Sequence, residues 1–299
     1  MITEKSGIPT GIIAYILWGL LPIYWKLSEH IGADIVLAHR IIWSFVFMIV
    51  FILITRSWKR FATECKRVLH NKRVLLLISS ASVVISLNWL VFIWAVQNEH
   101  VVQTSLGYYI NPLISILFGV LLLREKLSKV QVVSCIIAGI AVCYLTFSYG
   151  IFPWISLALA VTFALYGLLK KLANIEASFS LAIETMIITP ITLIYLFSMH
   201  GATIGFTSGA MNDNLLLLFS GIATAVPLLL FGSAVLHIPL SMLGFLQYIA
   251  PTIMLFIGVF LYDEVFTNAH LVTFILIWFS LILYMSASFL GKRNRGLKN

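Results

Sequence analysis

Charge is scarce in this sequence. Asp, Glu, Lys and Arg make up 10% of its 299 residues and hydrophobic side chains 61%, where a soluble domain carries about a quarter charged and roughly half apolar residues. One core cannot bury that excess, so lipid must be the solvent for much of the surface. Cysteine is nearly absent: Cys65 lies in a basic stretch, Cys135 and Cys143 share one apolar run, and no CxxC spacing exists. The odd count argues against a disulfide framework. The seven histidines form no HExxH or other paired spacing, so neither a metal site nor a cofactor is expected. "HIGAD" (His30 to Asp34) falls one residue short of an acyltransferase HxxxxD box. There is no GxxxxGK[ST] loop, so the chain is not expected to hydrolyse ATP itself. The net charge of +8 does not point to nucleic acid, because the basic residues fall between apolar runs with no aromatic RNA- or DNA-binding motif around them. No small-residue cleavage site follows the first apolar run, which reads as a retained span.

What is abundant is hydrocarbon, with mean hydropathy +1.04. Crossing a bilayer core of roughly 30 Å takes about 20 apolar residues, and runs of that length recur ten times: 8–27, 36–55, 74–97, 103–123, 130–149, 152–169, 180–199, 214–236, 241–261 and 270–290. Most connections are short. The long one, "RSWKRFATECKRVLHNKR", reads as a basic loop. An even number of spans puts both termini on one side. Placing them in the cytoplasm puts 17 of the 19 Lys and Arg inside and leaves only Lys26 and Arg40 in or near the outer part, as the positive-inside bias requires. The exterior then carries Glu29, Asp34, Glu99, Asp213, Asp263 and Glu264.

The chain also repeats itself. "YINPLISILFGVLLLRE" (Tyr109 to Glu125) aligns without gaps on "YIAPTIMLFIGVFLYDE" (Tyr248 to Glu264), with eight of 17 positions identical. Matches among Leu, Ile and Val mean little between apolar helices, but Tyr109/Tyr248, Pro112/Pro251, Gly119/Gly258 and Glu125/Glu264 are informative. "LWGLL" (Leu17 to Leu21) similarly matches "LYGLL" (Leu165 to Leu169). The predicted fold is therefore an all-α integral membrane protein of ten transmembrane helices in two five-helix repeats, 1–150 and 151–299. Five is odd, so the second repeat enters the membrane inverted. Inverted repeats are an architecture of secondary transporters.

"WGLLPIYWK", "LAHRIIWS", "NWLVFIWAV", "LGYYINPLISILFGVLLLREKLS", "LYGLLKK", "PLLLFGSA" and "PLSMLGFLQYIAPTIMLFIGVF" together resemble the RarD family of the EamA-type drug/metabolite transporter superfamily, from about Gly11 to Ser288. The resemblance implies ten helices in a bacterial inner membrane and transport of small molecules. It supplies no matched catalytic or substrate-binding residues, so candidate sites rest on physical chemistry.

Those candidates are the polar groups at membrane depth. His39 and Arg40 head the second span. They would either snorkel to the outer headgroups, with Arg40 meeting Asp34, Glu29 or Glu99, or form an outer gate or an anion-attracting mouth. Adjacent helical residues point about 100° apart, so the two cannot both face one groove squarely. Glu184 is the acid well inside an apolar span. It lies near the position that corresponds to His39 and Arg40 in the other repeat, and is either an ion-pair partner of Lys170 or Lys171 or a proton carrier. Asn88, Trp89, Tyr108, Tyr109, Asn111, Gln247 and Tyr248 are substrate-pathway candidates, because amides at this depth need protein partners or a polar cavity. The pairs Tyr108/Gln247 and Tyr109/Tyr248 would meet near the two-fold axis. Pro112 and Pro251 are hinge or kink candidates.

The leading expectation is a secondary active transporter for a small organic or drug-like solute, working by alternating access, with proton coupling or exchange both open. The expected partners are that solute and the lipid bilayer, with the oligomeric state open between monomer and homodimer. The alternative is an intramembrane lipid-handling protein or enzyme, which would need a nucleophile and base, or metal ligands, at one depth.

Overall fold

The computed structural model describes residues 4–98, 100–148, 150, 152–200, 211–262 and 267–296. Glu99, Asp263 and Glu264, three of the expected exterior acids, lie outside them. The described chain is a bundle of helices: α1 (Glu4–Leu27), α2 (Ala33–Ile54), α3 (Trp58–His70), α4 (Lys72–Gln97), α5 (Val101–Leu121), α6 (Lys129–Ser148), α7 (Trp154–Ala173), α8 (Ala177–His200), α9 (Met211–His237), α10 (Leu240–Gln247), α11 (Ile249–Leu261) and α12 (Asn268–Gly296). Ten membrane-crossing segments are present among the described residues, α10 and α11 making one of them. The chain is a multi-pass membrane protein.

Three features depart from the sequence expectations. The basic connection between the second and third spans is not a loop: it holds α3. Its apolar side buries Phe61 and Val68 against the bundle, while Trp58 and Leu69 stay exposed and Lys59, Arg60, Lys66 and Arg67 point outward. This is the build of a helix lying at a membrane surface. The sixth span runs on to Ala173 and ends at Asn174 in the left-handed region, φ 49°, as helices commonly do. Lys170 and Lys171 are therefore in its last turn rather than in a loop. The ninth span is interrupted at Tyr248, three residues before Pro251, whose missing N–H cannot continue the ladder. Pro112, by contrast, sits inside an unbroken α5.

Packing follows a regular scheme. α1 lies on α9 and α7 on α4; α5 lies on α7, and α1 on the α10–α11 segment. α2 meets α8, α5 meets α10, and α6 meets α12. The tightest crossing is α2 on α9, where Ser44 Oγ donates to the Gly221 carbonyl at 3.0 Å. A Cβ on Gly221 would lie 2.3 Å from the Trp43 carbonyl carbon, so only glycine permits this approach.

Gly221→Ala is expected to push α2 and α9 apart and to cost about 1–3 kcal/mol, as overpacking does. A lowered midpoint of thermal unfolding in detergent would report it, and an unchanged midpoint would show that the crossing can relax.

Candidate functional site

Three strata of side chains lie between the two faces of the bundle. One face carries α3; here it is the α3 face. Deep on that side is a buried polar network. Lys170 Nζ lies 2.6 Å from Glu184 Oε1, with both side chains 3% exposed. Ser180 Oγ donates to the same oxygen at 2.6 Å, Lys170 donates to Ser180 Oγ at 3.1 Å, and Tyr166 OH donates to Glu184 Oε2 at 2.8 Å. Each carboxylate oxygen is thus engaged, which is the condition under which an ion pair survives in a low-dielectric interior. Asn174 turns the chain between α7 and α8, and the long side chains of Tyr166 and Lys170 reach across to Ser180 and Glu184. Lys171 points elsewhere, donating to the carbonyls of Val235 (2.9 Å) and Ile238 (2.5 Å) at the end of α9.

Above the network is a small cavity of about 20 Å³, room for about one water. Its wall comes from α2 (Ile41), α4 (Ser82, Ser86, Trp89), α7 (Tyr166), α8 (Glu184, Thr185) and α9 (Leu228). Against α7 an aromatic layer of Tyr15, Trp18, Phe163, Tyr166 and Phe231 packs with ring centroids 5.4–6.3 Å apart.

Beyond Trp89, toward the face opposite α3, stands Arg40. The expectation that it meets Asp34, Glu29 or Glu99 is not met by the first two, and Glu99 is outside the described residues. Asp34 accepts from Tyr195 OH at 2.8 Å, and Glu29 pairs with Lys26 at 2.6 Å. Arg40 instead turns inward. Its Nε donates to Thr224 Oγ1 at 3.0 Å, and its guanidinium carbon lies 4.4 Å from the Trp25 ring and 5.1 Å from the Trp89 ring. Sequence proximity misleads because Arg40's helix turns that side chain onto α9, 184 residues along the chain. His39 is buried and its Nδ1 accepts from Trp43 Nε1 at 3.2 Å, so the two neighbours face different ways, as the helical geometry requires.

The remaining candidates divide. Trp89 is in the cavity wall. Asn88 ties α4 to α7, donating to the Leu159 carbonyl at 2.9 Å and to Thr162 Oγ1 at 2.8 Å, which is interhelical hydrogen bonding. Tyr108 packs edge-on to Phe92 at 6.2 Å. Tyr109 packs against the core. Asn111 is buried and accepts from Ser115 Oγ at 3.3 Å. Gln247 and Tyr248 are buried at the α10–α11 break, and the Tyr248 hydroxyl has no hydrogen-bond partner among the described residues. α5 and α10 do meet: a Cβ on Gly244 would come within 2.8 Å of the Pro112 carbonyl.

One residue escaped the sequence reading. Glu125, treated there only as a helix end, caps α10: it accepts from the backbone N–H of Leu240 (2.6 Å) and Ser241 (2.9 Å) and from Ser241 Oγ (2.6 Å). Helix N-termini favour such an anion. The Pro-Leu-Ser start of α10 was the available signal.

Contacts between the first and second parts of the chain are present at both faces. On the α3 face Glu125 caps α10, and Arg60 pairs with Glu176 at 2.6 Å. On the opposite face His30 contacts Asp213 at 3.0 Å, Tyr195 holds Asp34, and Tyr24 OH donates to the Leu216 carbonyl.

Lys170→Met leaves the Glu184 carboxylate buried without its cation and is expected to destabilise by about 3–5 kcal/mol. The double variant Lys170→Met/Glu184→Gln is expected to recover most of that loss. A double variant as unstable as the single would show that the network is not an ion pair in energetic terms.

Comparison with known proteins agrees with this architecture. The EamA-like transporter family matches residues 5–147, the first five spans. "Uncharacterized transporter YojE" of Bacillus subtilis (strain 168) is 45% identical over 97% of this chain and 96% of its own length. "Protein RarD" of Escherichia coli (strain K12) is 39% identical over 94% of each. A solved crystal structure, 15% identical, superposes with a TM-score of 0.72 over 93% of this chain and 97% of that one, which speaks to the fold alone. The chain belongs to the RarD family of EamA-type drug/metabolite transporters and is a membrane transporter.

Proposed function

We propose that this chain is a secondary active transporter that moves a small organic solute across the bacterial cytoplasmic membrane by alternating access between two inverted halves, residues 1–150 and 151–299. The observation that carries this reading is the small cavity lined by helices of both halves. α2 and α4 wall it from the first half and α7, α8 and α9 from the second, and contacts between the halves are present at both faces. The packing scheme supports the two-fold relation: α1 on α9 answers α7 on α4, and α5 on α7 answers α10–α11 on α1. Such a pair of halves can exchange conformations, opening one face as the other stays shut. The conformation described here is then the occluded intermediate.

The charge distribution supports a cytoplasmic α3 face. α3 and the helix ends around it carry the basic residues of the long connection, Lys170 and Lys171, as the positive-inside bias asks. Glu184 is the group through which a proton gradient would act. A movement of α8 against α7 within the second half that parts it from Lys170 leaves a carboxylate in the membrane interior that must take a proton or a new partner. If Lys170 stays in place throughout the cycle, the transporter is an exchanger or facilitator. The lipid-handling alternative lacks a supporting cluster: among the described residues no three His, Cys, Asp or Glu side chains converge.

The test is counterflow uptake in proteoliposomes against amino acids, nucleosides, aromatic metabolites and chloramphenicol, with and without a pH gradient. Arg40→Ala and Glu184→Gln are each expected to lower uptake by an order of magnitude with membrane insertion unchanged. Wild-type rates in both variants would contradict the assigned pathway, and uptake indifferent to the pH gradient would remove the proton role of Glu184.

A further inference from the structure

Arg40 and Glu184 occupy matching places. Leu37-Ala38-His39-Arg40 aligns with Leu181-Ala182-Ile183-Glu184. Each charged residue lies seven positions past the first residue of its helix, Ala33 for α2 and Ala177 for α8, which is about 10 Å at 1.5 Å per residue. The preceding helices align as well: Trp18 and Pro22 of α1 fall on Tyr166 and Lys170 of α7. The two charges are nonetheless answered differently. Glu184 has Lys170 at 2.6 Å. The α1 position that corresponds to Lys170 is Pro22, which brings no charge to Arg40.

Arg40 is short of partners in a specific way. A guanidinium has five N–H donors, one on Nε and four on the terminal nitrogens. Nε is spent on Thr224. Among the described residues no carboxylate pairs with the guanidinium and no acceptor meets the terminal nitrogens. Tyr24 and Tyr108 are the titratable groups whose fields reach it, and free phenols are neutral near pH 7. The rings of Trp25 and Trp89 hold the guanidinium of half-buried Arg40 in place, and cation–π contact compensates only part of a charge at membrane depth. Trp89 and Ile41, the residue after Arg40, are both in the wall of the central cavity. Arg40 therefore reaches the cavity wall through Trp89, on whose ring its guanidinium packs. Its flat pair of parallel donors matches a carboxylate bidentately, and the flanking indoles offer apolar area to the rest of an aromatic or amphipathic solute.

We propose that Arg40 docks the carboxylate of the transported solute, a small aromatic or amphipathic monocarboxylate, which supplies the counter-ion that Lys170 supplies to Glu184 in the other half. This rests on the transporter reading and names its substrate class. The solute anion neutralises Arg40 on arrival, so the loaded site crosses the closed state with the charges of both halves paired.

The test places an anion in the protein itself. Thr224→Asp puts a carboxylate beside Arg40. The full-length variant in detergent is expected to unfold at least as high as wild type with no ligand present, because it pairs a cation that was unpaired. Benzoate and its neutral isostere benzamide then serve as probes. Benzoate is expected to raise the wild-type unfolding temperature by on the order of 2–4 °C, the shift that a kcal/mol brings in a chain of this class, and benzamide is expected to leave it in place. Neither is expected to shift Thr224→Asp or Arg40→Gln. An equal response to both probes, no response to either, or a benzoate shift retained in Arg40→Gln overturns the proposal, as does a Thr224→Asp protein markedly less stable than Thr224→Asn. Counterflow on the same wild-type preparation separates the readings: exchange confined to neutral solutes overturns the carboxylate site and leaves the transporter standing, and absence of any exchange strikes the transporter reading itself.

Discussion

The ion pair between Lys170 and Glu184 sets the terms for the rest of the structure. Two opposite charges buried at 3% exposure persist in a membrane helix bundle only because each is fully answered. The answers fix geometry: α7 must extend far enough to carry Lys170, Asn174 must reverse the chain tightly, and α8 must return with Ser180 and Glu184 on the facing side. Tyr166 joins the network through its hydroxyl and the aromatic layer through its ring. The network thereby ties the α3 side of the cavity to the aromatic layer. The cavity's other side is bounded by Trp89, on whose ring packs an arginine that the protein itself leaves half-answered.

The contacts that join the two parts of the chain at either face are weak. No single latch is large: one carboxylate cap on α10, one exposed ion pair at Arg60 and Glu176, one histidine contact and a few hydroxyl bonds. Exposed pairs of this kind contribute about 0–1 kcal/mol each. Either set can open without unfolding a helix, and glycine crossings such as Gly221 give the halves a close surface on which to move. The packed helices supply stability and the weak latches supply the choice between faces.

Much of this was legible in the sequence. Hydrocarbon thickness dictates span length, so the ten crossings read directly, and a sustained match such as Tyr109–Glu125 on Tyr248–Glu264 exposes the repeat. The pairing of Glu184 with Lys170 was legible because both lie near one end of consecutive spans. The placement of Arg40 was not. Its neighbours in sequence are acids, but its neighbours in space come from α1, α4 and α9, and no local pattern encodes a tertiary crossing set by Gly221. α3 was hidden by its charge: Phe61, Cys65, Val68 and Leu69 keep helical spacing, yet seven Lys and Arg in that stretch mask the stripe. The capping role of Glu125 depends on two helix ends 115 residues apart, and the Pro-Leu-Ser start of α10 marks a helix N-terminus without naming the group that caps it.

The central claim is that the two faces open in alternation. Spin labels at Glu29 and Asn212 report the face opposite α3, and labels at Thr63 and Asn174 report the α3 face. Both pairs belong in a cysteine-free background, with distances read by double electron–electron resonance in nanodiscs. The account predicts that a lengthened Glu29–Asn212 population coexists with a short Thr63–Asn174 distance, and the reverse, with the balance shifted by transported solute. Both distances lengthening together would describe a channel, and distances fixed under all conditions would contradict alternating access.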